Sequence, residues 1–278
     1  MSRTSIVIAL ALFTAQYGLP EQSAGLFASA TAGDIEAIEA EIRSGAEVNA
    51  IDEEGRTALF CAVEAGQLKA ATTLIRHKAQ VNAANKSGTT PLMQAVLDDS
   101  TLIVEALMQN GADPNLNGGS GTALHSAAER GSVPLVELLI ARKARLDSTD
   151  EQGRTPLFLA VEAGQVGTAS VLLAKGARPE SKSHDEKLPL LVAAQARNIA
   201  MVDLLLTNGA DPNTKTDTGA PLLIDAVSRG EAELVELLTR RGADFRAIDD
   251  DGKTALSVAT AAGQSKIAEI LQRAGARE

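Results

Sequence analysis

The sequence predicts an all-α solenoid of stacked helix-turn-helix repeats. Three observations predict it. Matched against itself, the chain agrees at a shift of 33 residues, so that Leu26, Leu59, Leu92, Leu124, Leu157, Leu190, Leu223 and Leu256 are equivalent, with one residue deleted before Leu124. A second series, Ala46, Ala79, Ala112, Ala144, Ala177, Ala210, Ala243 and Ala276, runs in step with the first, and a fixed period of this size marks stacked supersecondary units. Thirdly, aromatic residues are 2% of the chain and Trp is absent, while 45% is hydrophobic. A core without bulky rings must be thin and aliphatic, built from helices that approach closely.

The eight repeats span 26–50, 51–83, 84–115, 116–148, 149–181, 182–214, 215–247 and 248–278. Arg154-Thr155-Pro156-Leu157 through Ala177 shows the design of one repeat. Thr155 caps a first helix, and Pro156 takes its first position, where the missing N–H is no loss. Gly164 ends that helix, a second runs through Val171, Leu172 and Leu173, and Gly176 ends it in turn. Ala62, Ala95, Ala127, Ala160, Ala193, Ala226 and Ala259 let successive first helices meet closely. Leu74, Leu107, Leu139, Leu172, Leu205, Leu238 and Leu271 fill the layer behind.

Residues 1–25 read differently. Arg3 precedes an apolar run from Ile6 to Phe13, and a polar stretch follows through Tyr17, Pro20 and Glu21, the layout of a secretory signal peptide. The run is shorter than the roughly 20 residues a membrane span needs. Cleavage after Gly25 would leave a repeat domain over 26–278, exported to the periplasm or secreted, at no cost to the fold. The alternative makes Ile6 to Ala15 an extra helix packed on the end of the array, in a cytoplasmic protein or one anchored through that segment.

The formal net charge is −10, and no cluster of Lys and Arg is present, so a nucleic-acid partner is not expected. Cys61 is the single cysteine and reads as a small apolar core residue, since no base or cation adjoins it in Leu59-Phe60-Cys61-Ala62. His77, His125 and His184 fall on three different elements of three different repeats and do not converge. His125 reads as a hydrogen-bonding residue of its own helix opening. His184-Asp185-Glu186 and Asp249-Asp250-Asp251-Gly252 read as solvated fingers rather than metal sites, the latter lacking the later Glu of a calcium loop. Gly118-Gly119-Ser120-Gly121 has no following Lys to make it a phosphate loop, and falls in the shortened finger. No catalytic, cofactor or metal site is expected.

Asp52-Glu53-Glu54-Gly55-Arg56-Thr57-Ala58-Leu59 resembles the finger and helix opening of the ankyrin repeat, and Asn110-Gly111-Ala112-Asp113-Pro114-Asn115 resembles its closing turn. The likeness covers Leu26 to Glu278. The pattern departs from the family at the His after Thr-Pro-Leu, which only His125 supplies; Phe27, Phe60, Met93, Phe158, Leu191, Ile224 and Ser257 stand elsewhere. The sixth repeat lacks the finger Gly and the capping Thr at Glu186-Lys187-Leu188-Pro189 and has Arg197 in place of a helix-ending Gly, so it is expected to be the least regular.

The resemblance implies a curved array with projecting short β-hairpin fingers that binds a protein partner through finger tips and a concave face, acting as adaptor, scaffold or inhibitor and not as an enzyme. In this register the tips are Asp52, Glu53, Glu54, Arg56, Lys86 and Asp150, with Asp249, Asp250 and Asp251 at the far end. Glu64, Leu97, Asp98, Glu129, Arg130, Glu162, Gln195, Ser228 and Arg229 line the helix side. Glu64, Glu129 and Glu162 form a repeated carboxylate row, which predicts a partner with a basic or mixed-charge surface. No cofactor and no membrane contact after signal removal are expected, and the chain is expected to be a monomer. A structural or targeting subunit anchored by a retained N-terminal helix is the alternative role.

Overall fold

A computed structural model of the protein describes residues 23–277; the segment read as a signal peptide lies outside them, apart from 23–25. Sixteen helices are found among the described residues, in eight antiparallel pairs: α1 (Ala24–Ala32), α2 (Ile35–Arg43), α3 (Ala58–Glu64), α4 (Leu68–Arg76), α5 (Pro91–Leu97), α6 (Thr101–Gln109), α7 (Ala123–Arg130), α8 (Val133–Ala141), α9 (Pro156–Glu162), α10 (Val166–Ala174), α11 (Pro189–Gln195), α12 (Ile199–Thr207), α13 (Leu222–Ser228), α14 (Ala232–Arg240), α15 (Ala255–Ala261) and α16 (Ser265–Arg273). The helices form two compact bodies. The first holds the described residues up to Ala127 with Ser132–Glu151, and the second holds Ala128–Gly131 with the described residues from Gln152.

The helix openings follow from their sequence. The hydroxyls of Thr57, Thr90, Thr155 and Thr254 accept from the backbone N–H three residues on, at 3.2, 3.3, 3.2 and 3.3 Å. Each bond satisfies one of the four N–H groups a helix start leaves unpaired. Pro91, Pro156 and Pro189 occupy first positions. The core is the one the spacing predicts: both the Ala series from Ala62 to Ala259 and the Leu series from Leu74 to Leu271 are wholly buried.

The fingers are less sheet-like than expected. Instead of β-hairpins they are turns, three of them closed by a single antiparallel bridge, Ile51 to Thr57, Lys215 to Pro221 and Ile248 to Thr254. What shapes three of the fingers is the side chain at the base. Asp52 Oδ1 accepts the N–H groups of Glu54 (3.0 Å) and Arg56 (2.7 Å). Asn85 does the same for Ser87 and Thr89, and Asp249 for Asp251 and Lys253. In the shortened finger, a Cβ on Gly118 would lie 2.4 Å from the Gly88 carbonyl oxygen. Glycine is therefore required where these two fingers touch.

Neighbouring repeats are also stitched together by polar bonds. In the first body Asn49, Asn82 and Asn115 each accept the N–H of a residue in the next repeat's closing turn: Gln80 (2.8 Å), Asp113 (2.9 Å) and Arg145 (2.8 Å). The second body continues the pattern, with Glu180 accepting from Asp211 and Asn213 from Asp244.

Two expectations need correction. First, α1 starts at Ala24, and Ser23, Ala24 and Gly25 are buried, Ala24 against Phe27, Ala50 and Cys61. A boundary after Gly25 would cut into the first helical turn, so the first repeat begins two residues before Leu26. Secondly, the sixth repeat is regular: α11 and α12 match the helices of other repeats in length, 7 and 9 residues. Its missing glycines are absorbed by positive φ at Glu186 (59°) and Arg197 (55°), in the left-handed region that disfavours side chains. Its uncapped helix and its finger carry the remaining cost. Ser183, at the position of Asp52, is buried with its hydroxyl oxygen lacking a hydrogen-bond partner. Ser183→Asn would supply the longer acceptor that Asn85 provides, and should stabilise the fold by about 1 kcal/mol in urea denaturation. A loss of stability would rule out the finger-base role.

Candidate partner-binding surfaces

The positions expected to meet a partner divide by burial. Asp52 and Asp150 are not tip residues: both are buried, 6% and 4% exposed. The physical reason is plain at Asp52, whose carboxylate is turned inward onto two backbone N–H groups and the Arg56 guanidinium. Glu53, Glu54, Glu64, Lys86, Leu97, Asp98, Glu129, Arg130, Glu162, Gln195 and Ser228 are exposed, whereas Arg56 and Arg229 are half-buried.

Much of the charge in this set is already engaged. In the first body Arg56 reaches Asp52 Oδ2 at 2.8 Å, Glu64 at 3.1 Å and Glu54 at 3.2 Å. Burial works to lower the Arg56 pKa, but the hydrogen bond that Arg56 donates to Asp52 and the nearby carboxylates raise it on balance, so the cation is held there. Asp98 accepts from Gln94 at 2.9 Å. In the second body Arg154 holds Glu162 at 3.1 Å. Arg229 pairs with Asp225 at 2.7 Å and approaches Glu231 to 3.6 Å. The expected carboxylate row is thus not a bare acidic surface: Glu64 and Glu162 each face an arginine eight residues earlier in the chain.

Leu97 is 40% exposed at the end of α5 and stands beside Asp98 and Asp99. Three exposed apolar side chains were not singled out by the register, Ile51, Leu102 and Ile248. Ile51 and Ile248 occupy the finger position that Lys182 and Lys215 fill elsewhere. That contrast was the available signal.

The groups considered for chemistry lie apart. His125 is buried, and its Nδ1 accepts the Thr122 N–H at 3.0 Å with the Thr122 hydroxyl at 2.9 Å. Nδ1 is therefore an acceptor here, and the neutral ring carries its proton on Nε2. His184 lies in a finger, where a Cβ on Gly153 would strike its ring. Among the described residues no three His, Cys, Asp or Glu side chains are grouped to hold a metal ion, and no helix is long and apolar enough to cross a membrane.

Cys61 is buried, and burial pushes its thiol up to about 12, against the opposing effect of Arg56. Folding therefore favours the protonated thiol. In the unfolded chain the thiol is free to ionise in the ordinary cysteine range, so this stability is complete below that range and is lost as pH rises toward 12, by up to about 1.4 kcal/mol per unit. The Cys61→Ala variant should lack that part of the alkaline decline. Iodoacetamide should label native Cys61 no faster at pH 8.5 than global unfolding permits; faster labelling would contradict the burial assignment.

Comparison with known proteins agrees with this architecture. The family profile of ankyrin repeats (3 copies) matches residues 26–118, 116–183 and 190–277. Among solved structures, an ankyrin repeat domain from Acinetobacter baumannii AYE is similar at a TM-score of 0.63 and 32% identity, over 67% of this chain and 98% of that one. No curated protein matches the chain. With that profile matched along most of its length, the chain belongs to the ankyrin-repeat family.

Proposed function

We propose that the protein is a non-enzymatic adaptor, scaffold or inhibitor that holds one protein partner through its finger tips and the outward ends of its first helices. Ankyrin repeats are in general protein–protein interaction modules. The observation that carries the reading is a division of labour within the register. Positions that recur from repeat to repeat, such as Asp52, Asn85 and Asp249, are spent on the backbone, while Glu53, Lys86, Leu97, Gln195 and Ser228 differ between repeats and are exposed. Variable side chains on a rigid frame are what selective recognition needs.

The pairing of Arg56 with Glu64 and of Arg154 with Glu162 favours a partner of mixed charge with an apolar side chain to meet Leu97. Full-length protein used as bait in its native host should retain a partner that a Glu53→Lys, Lys86→Glu, Leu97→Asp variant loses by tenfold or more. Equal capture by the variant would move the interface elsewhere.

Export remains the proposed localisation; the buried start of α1 at Ser23, Ala24 and Gly25 supports a cut before Ser23 rather than after Gly25. That same burial favours a second reading, in which the N-terminal segment is retained and the protein is a structural or targeting subunit. Intact mass of the protein from its native host decides between them. A chain starting between about 16 and 23 supports export, and a Met1 or Ser2 start supports retention.

A further inference from the structure

The second body has a groove on its outer side, between α12 and α14, well apart in the register from the tips and first-helix ends. It measures about 510 Å³, with Ile199, Ala200 and Leu237 on its apolar part. Its depth has a local cause. Ala200 is exposed at the register position that carries Glu36, Lys69, Leu102, Glu233 and Lys266 in five repeats and the short Pro134 and Gly167 in the other two, so no long side chain fills the space beside Glu233.

The charges around it are arranged in an ordered way. At one end Arg241 holds Asp203, with Nε at 2.8 Å. Beyond the other end Arg197 holds Glu231 at 2.8 Å. These four charges cancel in pairs across successive repeats. Two more charges line the groove, Glu233 in the first turn of α14 and Arg240 in its last. Both are exposed, and neither forms an ion pair with another described residue within 4.0 Å. Seven residues of helix separate them, about 10 Å along the axis at 1.5 Å per residue. The groove therefore offers an apolar strip with a free carboxylate at one end and a free guanidinium at the other.

We propose that this groove docks an amphipathic helix of a protein partner, with a cationic side chain on Glu233, an anionic one about two turns away on Arg240, and Leu-like side chains between them on half-buried Ile199 and exposed Ala200, above the buried Leu237. Two adjacent helices present the ridges and furrow into which a third helix packs. The charge spacing matches one face of a helix, in which positions i and i+7 bracket apolar i+3 and i+4. The surface is separate from the one under Proposed function, so either can fail without the other.

A test needs no knowledge of the natural partner. A dye-labelled, Ala-based helical peptide with Lys at i, Leu at i+3 and i+4 and Glu at i+7 is titrated into the full chain by fluorescence anisotropy, beside a control peptide with Glu at both charged positions. The Lys/Glu peptide should bind at least tenfold more tightly than the control. Ala200→Trp, which fills the groove from an exposed position, should abolish binding while far-UV circular dichroism stays unchanged. Glu233→Lys should weaken the Lys/Glu peptide about tenfold and strengthen the Glu/Glu peptide, whereas the Glu53→Lys, Lys86→Glu, Leu97→Asp variant should bind both as the parent does. No binding, no preference between the peptides, or binding indifferent to Glu233→Lys and to a folded Ala200→Trp would each overturn the proposal. If Ala200→Trp unfolds the chain, the exposed Glu233→Lys substitution carries the decision.

Discussion

Close approach of the first helices is the constraint on which the other features rest. Ala62, Ala95 and, in the second body, Ala160, Ala193, Ala226 and Ala259 have no exposed surface, and a larger side chain at any of them would push two repeats apart. Overpacking of this kind costs about 1–3 kcal/mol. No repeat closes a core by itself, so the leucines behind the alanines are buried only once neighbours stack. Holding that spacing constant is also what allows one hydrogen bond to recur. The Lys86 N–H reaches the Glu54 carbonyl at 2.8 Å, the Glu151 N–H reaches that of Gly119 at 3.1 Å, and the His184 N–H reaches that of Gln152 at 2.8 Å. A finger set at another spacing would leave these groups unpaired.

The turns between paired helices show the same economy of space. At two of these turns the glycine is overlain closely by the residue that opens the second helix of the next repeat. A Cβ on Gly33 would lie 2.4 Å from Gln67 Oε1, and one on Gly131 would lie 2.3 Å from Gln165 Oε1. Where the turn is not glycine, its neighbour has changed to suit. Asp99 meets the short Ser132 and accepts its hydroxyl at 2.9 Å, and Arg197 meets Glu231 at 2.8 Å. Left-handed backbone costs of order 1–2 kcal/mol for such residues, and the contact across to the next turn offsets part of it. The polar pairs at 99/132 and 197/231 thus take the place of the close glycine-glutamine fit seen at 33/67 and 131/165.

The repeat and its core were legible in the sequence because both depend on periodic positions, and the Leu and Ala series locate them without reference to distance. The finger bases were not legible. Asp52 and Asp150 look like exposed acidic tips when read as isolated residues, and only the path of the backbone turns their carboxylates inward. A clue was nonetheless present: Asp, Asn or another small polar residue recurs at 52, 85, 117, 150, 183, 216 and 249, and a residue type that recurs in every repeat is serving what every repeat shares. The start of α1 was misplaced for a related reason, since the signal-like run ends without any mark that separates it from a helix of small residues. The groove between α12 and α14 escaped the register because it is made by an omission, the missing side chain at Ala200.

The net charge of −10 is a poor guide to what the partner-facing surface offers. A carboxylate that lies about 3 Å from a guanidinium contributes little to the field a few ångströms beyond the pair, because the two potentials cancel and solvent screens the remainder. Glu64 and Glu162 are in that position. Exposed pairs of this kind add little stability, commonly under about 1 kcal/mol. Their larger effect is geometric: the arginine spans from finger to first helix and fixes where both carboxylate and finger point. On the proposed partner-binding surface of the first body, selectivity would then fall to the exposed side chains outside such pairs, Glu53, Lys86 and Leu97. These are few and widely spaced. A partner that satisfies them must match their positions as well as their charges, which is the kind of discrimination a rigid repeat frame is suited to impose.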